Sequence, residues 1–448
     1  MLTLGAFVLM IAVLVTFHEY GHYWVARRCG VRVLKFSIGF GKPLVQWQRG
    51  GTTWQIALIP LGGFVQMQGE SPEDGGGGLH DPASSFSSKH PLQKMAIVLA
   101  GPLANLLLAW LLFAGVFMHG QTALRPFVGA VEAGSVAEQS DLRAGDRLMA
   151  VASTPVASWE MAQMQLLAHV GEARVPVQVQ RASGGEANLL LNLAGLGDAA
   201  YDARLLRNLG IEILPWTGLL GHVSKDGPAN RAGLQEGDRI LSIDGQPLAG
   251  WQAFHELIQQ SAGKSLTISY SRRGETLTTQ LQPERVQQGG KQFGRIGLGP
   301  RTDPVLYQKL TFVDRNGPLE AVQRSAAYTW QMSVLSIRMI GQLLTGEASL
   351  KQVSGPIGVA EYAGQSASIG LLAYIQFIAF ISLSLAILNL LPVPVLDGGH
   401  FLYHTAELLR GRPLPLWCME WGQRLGVALL LSLMALAFYN DINRLITG

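Results

Sequence analysis

The stretch LTLGAFVLMIAVLVTFHEYGHYWVA, Leu2–Ala26, decides the fold. It starts as an apolar run, and about 20 apolar residues in a helix cross the hydrocarbon core of a bilayer. Near its end it carries His18, Glu19 and His22, still in the same helical register. A cleaved leader has a basic amino-terminal region and a small-x-small cleavage site after the apolar run, and neither occurs here. The stretch reads as a retained span. Met95–Met118 and Ile369–Leu396 follow as uncharged candidates, and Leu425–Asn440 is slightly short unless residues 416–424 extend it. The expected fold class is a polytopic α-helical membrane protein with four transmembrane helices.

Composition agrees. Of 448 residues 48% are hydrophobic and only 15% charged, which is lean for a soluble enzyme. A net charge of +3 without a basic run argues against nucleic acid as a partner. Cys29 and Cys418, the two cysteines, lie far apart and form neither a disulfide framework nor a Cys-x-x-Cys metal pair. Arg27, Arg28, Lys35 and Lys42 follow the first span, Lys89 and Lys94 precede the second, and Arg410, Arg412 and Arg424 lie between the third and fourth. With four spans these loops share one side, which the positive-inside rule makes the cytoplasm. The long segment 119–365 and both termini then face outwards.

That long segment contains an internal repeat. Ala137–Trp159 (AEQSDLRAGDRLMAVASTPVASW) and Ala229–Trp251 (ANRAGLQEGDRILSIDGQPLAGW) align without a gap at an offset of 92 residues, with eight of 23 positions identical. Chance gives about one or two. The run Ala232–Gly245 resembles the PDZ domain, a small α+β module that binds extended peptides at a sheet edge. Asp244-Gly245 suits a hairpin turn, and Ala152-Ser153 at the matching place makes that turn a weaker expectation in the first copy. Residues 71–90 are Gly- and Ser-rich and read as flexible, and residues 318–345 read as an amphipathic, interfacial helix.

His-Glu-x-x-His sets His18 and His22 one helical turn apart, so both imidazoles leave one face. Zinc takes neutral nitrogen ligands of this kind, and the adjacent Glu19 is placed to accept the proton of an attacking water. Ionisable side chains inside a span are costly and usually functional. A catalytic zinc needs a third protein ligand. Asp397, in NLLPVPVLDGGH from Asn389 to His400, is the candidate, and His400 is its rival. Pro392 and Pro394 free backbone groups that only a protein-lined cavity tolerates at membrane depth.

HEYGH in the first span, Asn-x-x-Pro-x-Pro-x-Leu-Asp-Gly-Gly after the third and an outward PDZ pair together resemble the site-2 protease family of intramembrane zinc metalloproteases. Gly39-Phe-Gly41, Pro60-Leu-Gly-Gly-Phe-Val65 and Gly355-Pro-Ile-Gly358 extend the likeness over nearly the whole chain. Ser384 stands where such proteins often carry a second asparagine. The resemblance implies Zn2+ on His18, His22 and Asp397, Glu19 as general base, and regulated intramembrane proteolysis of single-span substrates such as anti-sigma factors or remnant signal peptides. Asn389 is the candidate for binding substrate backbone, and Gly62–Gln68 reads as a strand whose edge can pair with an unwound substrate. The expected division is 1–30 for the first span, 31–91 for a membrane-associated β/loop region and 92–119 for the second span. The PDZ-like domains take 120–205 and 206–300, an interfacial helix and loop 301–364, the third span with the third ligand 365–397, and the fourth span 416–440. A catalytically dead PDZ scaffold and a metal transporter are the competing readings, and both leave Glu19 without a purpose.

Overall fold

The computed structural model describes residues 2–70, 82–196, 205–247, 250–288, 291–345 and 354–447, so part of the Gly-rich stretch 71–90 lies outside the described residues. The chain divides into two compact units, Met1–Gly120 with Arg315–Gly448, and Gln121–Asp314.

The first unit is helical. α1 (Leu2–Arg28) and α2 (Pro91–His119) are followed, beyond the insert, by α3 (Pro318–Thr345), α4 (Pro356–Ile369), α5 (Leu371–Asn389), α6 (Asp397–Arg410) and α7 (Leu416–Thr447). Among the described residues four helices are long and apolar enough to cross a membrane: α1, α2, α5 and Trp417–Arg444 within α7. Start and stop signals explain several boundaries. His90 and Gln93 form a capping box ahead of α2, with Pro91 at its first position. Gly411, at φ 67°, ends α6 in the left-handed conformation that glycine adopts without penalty.

The third span differs from expectation at both ends. It starts at Leu371 because Gly370, at φ 146°, breaks it from the separate helix α4, and it ends at Asn389 instead of continuing to 397. Pro392 and Pro394 lack the N–H that a continuing helix needs and disfavour helical geometry in the residue before each. Asp397 therefore opens a new helix, α6. The Gly355-Pro-Ile-Gly358 motif also acquires a role. Gly355 offers no side-chain cap to α4, and Asp441 from α7, 1% exposed, accepts hydrogen bonds from the Gly355 and Gly358 N–H groups at 3.1 and 3.0 Å.

Met10, Leu14, Leu108, Tyr374 and Ile378 pack α1, α2 and α5 together, and the Tyr374 hydroxyl donates to the Ala6 carbonyl at 2.5 Å. α3 lays Ala321, Tyr328 and Met332 against α2 and α5, with the Tyr328 and Phe113 rings 4.9 Å apart, edge to face.

Between α1 and α2 the chain runs through β1 (Val33–Arg49) and β2 (Thr52–Met67). Each strand bends and makes two passes. Val33–Ile38 pairs with Gly63–Met67 on one side and, through Lys35–Ile38, with Thr53–Ile56 on the other, and Thr52–Ala57 pairs in turn with Pro43–Arg49. Gly63–Met67 is thus an edge.

In the insert the 92-residue repeat becomes two copies of one α+β unit. Each has a four-stranded sheet: Thr154–Pro155, Arg147–Val151, Val175–Gln180, Glu186–Leu191 in the first, and Gln246–Pro247, Arg239–Ile243, Leu266–Arg272, Glu275–Leu281 in the second. Helices Trp159–Ala168 and Trp251–Gln260 occupy matching places. The repeated Gly-Asp-Arg aspartates are buried and equivalent. Asp146 receives Arg143 N–H and Arg181, and Asp238 receives Gln235 N–H and Arg272. A boundary at 205/206 is corrected here, because Ile211–Glu212 pairs with Ala130–Val131 and closes the first copy, as Leu298–Pro300 pairs with Leu220–Val223 in the second. The strand is short, and only its Leu209-Gly-Ile211 match to Ile296-Gly-Leu298 betrays it in sequence.

The turn in the first copy is also fully formed. Ala152 and Ser153 sit at φ 48° and 67°, where Asp244 and Gly245 sit at 47° and 79°. The sheet imposes this conformation on two residues that disfavour it.

Candidate metal centre

α1 projects His18 and His22 from one face, and the Asp397 carboxylate arrives from the start of α6. The two Nε2 atoms are 3.2 Å apart, Asp397 Oδ2 is 3.2 Å from His18 Nε2, and Oδ1 is 3.7 Å from His22 Nε2. Tetrahedral zinc with bonds near 2.0–2.1 Å puts its ligand atoms about 3.3 Å apart. This triangle of donors, with one carboxylate oxygen facing each imidazole, is spaced on the scale of such a ligand set. Two imidazoles and a carboxylate, with no cysteine, are the donor chemistry of a catalytic rather than a structural zinc. Among the described residues this is the group of three His, Cys, Asp or Glu side chains that can converge on an ion.

α2 seats the imidazoles, and composition and motif reading missed it. Gly21 of α1 lies against α2 so closely that a Cβ would overlap the Ala100 carbonyl, and a Cβ on Gly101 would overlap the His22 ring and lie 2.8 Å from His18 Cε1. On either side of Gly101, one helical turn away each, the Ile97 carbonyl meets His22 Nδ1 at 2.8 Å and the Asn105 carboxamide meets His18 Nδ1 at 3.3 Å. Asn105 is fully buried. The legible signal was an asparagine in an otherwise apolar span.

The Asp-Gly-Gly sequence is explained by crowding. A Cβ on Gly398 would overlap the Leu390 and Leu391 carbonyls, and one on Gly399 the Val393 carbonyl, so the proline loop can wrap tightly under the first turn of α6. Gly422 and Gly426 of α7 leave room for Tyr403, Pro394 and Val395 on the other side. Farther along α6, Glu407 takes Lys94 of α2 at 2.9 Å and His404 Nδ1 at 3.1 Å. Lys94 is 8% exposed and Glu407 15%, so this pair ties α6 to α2 away from water. Burial raises the Glu407 pKa, and the Lys94 and His404 hydrogen bonds outweigh it, leaving the carboxyl below its ordinary range.

Glu19 is half-buried on α1, beside the ligands, under the edge segment of β2. A Cβ on Gly63 would lie 2.6 Å from both Val15 Cγ1 and Ser37 O and 3.2 Å from Glu19 Cγ, so only glycine lets that strand approach. His400 is exposed and outside the donor triangle, its ring 6.1 Å from that of Tyr403. Asn389 closes α5, half-buried, and its carboxamide makes no hydrogen bond to His18, His22 or Asp397.

Residues 6–433 match the model of peptidase family M50. The chain is 39% identical over 451 residues to the regulator of sigma-E protease RseP of Escherichia coli strain K12, covering 99% of this chain and 98% of that one. It is equally similar, with the same coverage, to the regulator of sigma E protease of Salmonella typhi. A Neisseria meningitidis protein with a provisional zinc metalloprotease name is 42% identical over 453 residues, covering 99% of both chains. The PDZ domain of an SdrC-like protein from Listeria monocytogenes matches at 24% identity and a TM-score of 0.17, over 19% of this chain and 90% of that one.

Proposed function

This chain belongs to peptidase family M50, the site-2 proteases, and on that premise we propose that it cuts single-span membrane proteins in or beside their spans, with Glu19 as proton carrier. It is a multi-pass zinc metalloprotease. The observation that carries the proposal is the donor triangle of His18, His22 and Asp397, spaced for zinc and flanked by a carboxylate that takes no place in it.

Bound zinc there supplies Lewis-acid polarisation of the scissile carbonyl and a more acidic attacking water. Glu19 takes the proton from that water as its oxygen adds to the carbonyl carbon. The same carboxyl then gives the proton to the amide nitrogen as the C–N bond breaks. Asn389, at the end of α5, donates a hydrogen bond to the substrate backbone or the developing oxyanion, a contribution of about 2.7–4 kcal/mol at comparable sites.

A helical substrate must unwind before its amide can be attacked. The edge Gly63–Met67, one side bonded to Val33–Ile38 and packed over Glu19 at Gly63, suits pairing with an extended substrate segment. The names of the Escherichia coli and Salmonella relatives favour substrates of the anti-sigma factor type. The charge of the loops favours a site towards the cytoplasmic face of a bacterial inner membrane, with the insert outside. Detergent-solubilised enzyme incubated with a panel of single-span substrates tests the proposal. It expects cleavage at the span that stops with a zinc chelator, and cleavage confined to soluble domains would reject it.

A further inference from the structure

The two imidazoles differ in how their proton is placed. His22 Nδ1 faces the Ile97 carbonyl at 2.8 Å, and a carbonyl only accepts, so His22 carries its proton on Nδ1 and turns the Nε2 lone pair towards the donor triangle. His18 Nδ1 faces the Asn105 carboxamide, whose Nδ2 stands 3.3 Å away while Oδ1 is buried without a hydrogen-bond partner. In that orientation Nδ1 accepts, the His18 proton sits on Nε2, and Nε2 has no lone pair for a metal. A half-turn of the amide exchanges two groups of nearly equal size. It sets Oδ1 against His18 Nδ1–H, frees the Nε2 lone pair, and leaves the number of unpaired buried atoms the same.

We propose that Asn105 is a positioning residue for the metal, its Oδ1 accepting from His18 Nδ1–H and holding Nε2 towards the site. α2 then sets both rings from one face, with the Ile97 carbonyl for His22, the Asn105 oxygen for His18, and Gly101 between them. A second contact holds the residue in place, since the Asn105 backbone carbonyl accepts from the Ser382 hydroxyl of α5 at 2.8 Å. Groups that orient a metal-bound histidine commonly change metal affinity by about 10–100-fold. The inference rests on the reading of His18 as a ligand.

The test is zinc affinity of the full-length protein in detergent, measured with zinc alone against a chromophoric chelator, alongside the melting temperature of the chelator-stripped form. Asn105→Asp keeps an acceptor and should bind zinc at least as tightly as the parent. Asn105→Leu keeps the volume and loses the acceptor, and should bind about 10–100-fold more weakly. Melting of its stripped form serves to show that the variant folds, since leucine also leaves His18 Nδ1 without its partner. A purely structural asparagine predicts a different pattern, with zinc affinity that follows stability and is not rescued by aspartate. Equal zinc loss in Asp and Leu variants, or a folded Leu variant with parental affinity, overturns the inference. If the Leu variant does not fold, a loss beyond tenfold in Asn105→Asp still overturns it. His18→Ala separates the two levels: retention of zinc there sinks the ligand reading itself, whereas its loss beside an unaffected Asn105→Leu sinks only the role of Asn105.

Discussion

Asp397 and His400 sit one helical turn apart at the start of α6, and only Asp397 turns into the donor triangle. Asp397→Asn should weaken zinc retention by on the order of tenfold or more, while His400→Asn should leave metal content unchanged. Metal analysis of the two purified variants checks this, and zinc loss confined to the His400 variant reverses the assignment. At this scale the legible part of the site was the part set by local geometry. His18, Glu19 and His22 announce themselves because a helix places i and i+4 on one face. Asn105 shows in the sequence only as a polar side chain in an apolar span, and Gly101 not at all, because their role depends on the register of α2 against α1, which no local spacing encodes. Asn389 was read from its motif, and its half-buried place at the end of α5 gives it no partner among the three ligands.

Among elements, the ion pair between Lys94 and Glu407 holds the helix that carries the third ligand against the helix that seats the other two. Lys94→Met leaves Glu407 with His404 but without its cation and should destabilise the protein by about 1–3 kcal/mol, with zinc lost more readily. Adding Glu407→Leu should recover most of that stability, since an apolar pair can replace a buried ionic one. Thermal unfolding of the two variants measures it, and a further loss in the double variant contradicts it. In the insert, Ala152 and Ser153 hold left-handed conformations that suit asparagine, aspartate and glycine. Ala152→Asp with Ser153→Gly should stabilise the first copy by about 1–2 kcal/mol, read as resistance of the intact protein to proteolysis. This turn was underestimated from sequence because the sheet, not the turn residues, dictates it. The third span was overextended for the converse reason. Residues 390–396 are apolar enough to continue it, and hydropathy does not register that Pro392 and Pro394 end the helix.

For the whole molecule, hydropathy and the 92-residue repeat revealed four spans and two insert copies. The extra helix α4 and the double-pass hairpin were hidden, because both depend on long-range pairing. The insert joins the end of α2 opposite Lys94, and loop charge favours the outer side for it, so we propose that it filters substrates by size and takes no part in the chemistry. Deleting the second copy should leave cleavage of a short-tailed span nearly unchanged and raise cleavage of a span that carries a folded outer domain. A recruiting insert would make both rates fall. Comparison of the two substrates in membranes at equal expression decides between them. The central claim is zinc-dependent peptide hydrolysis with Glu19 as the base, and zinc content measured beside single-span substrate cleavage for the parent and for Glu19→Gln tests it most directly. The account predicts one zinc per chain in both proteins, with cleavage in the parent alone and lost there when a chelator strips the metal. Near-parental cleavage by the zinc-loaded Glu19→Gln protein would contradict it.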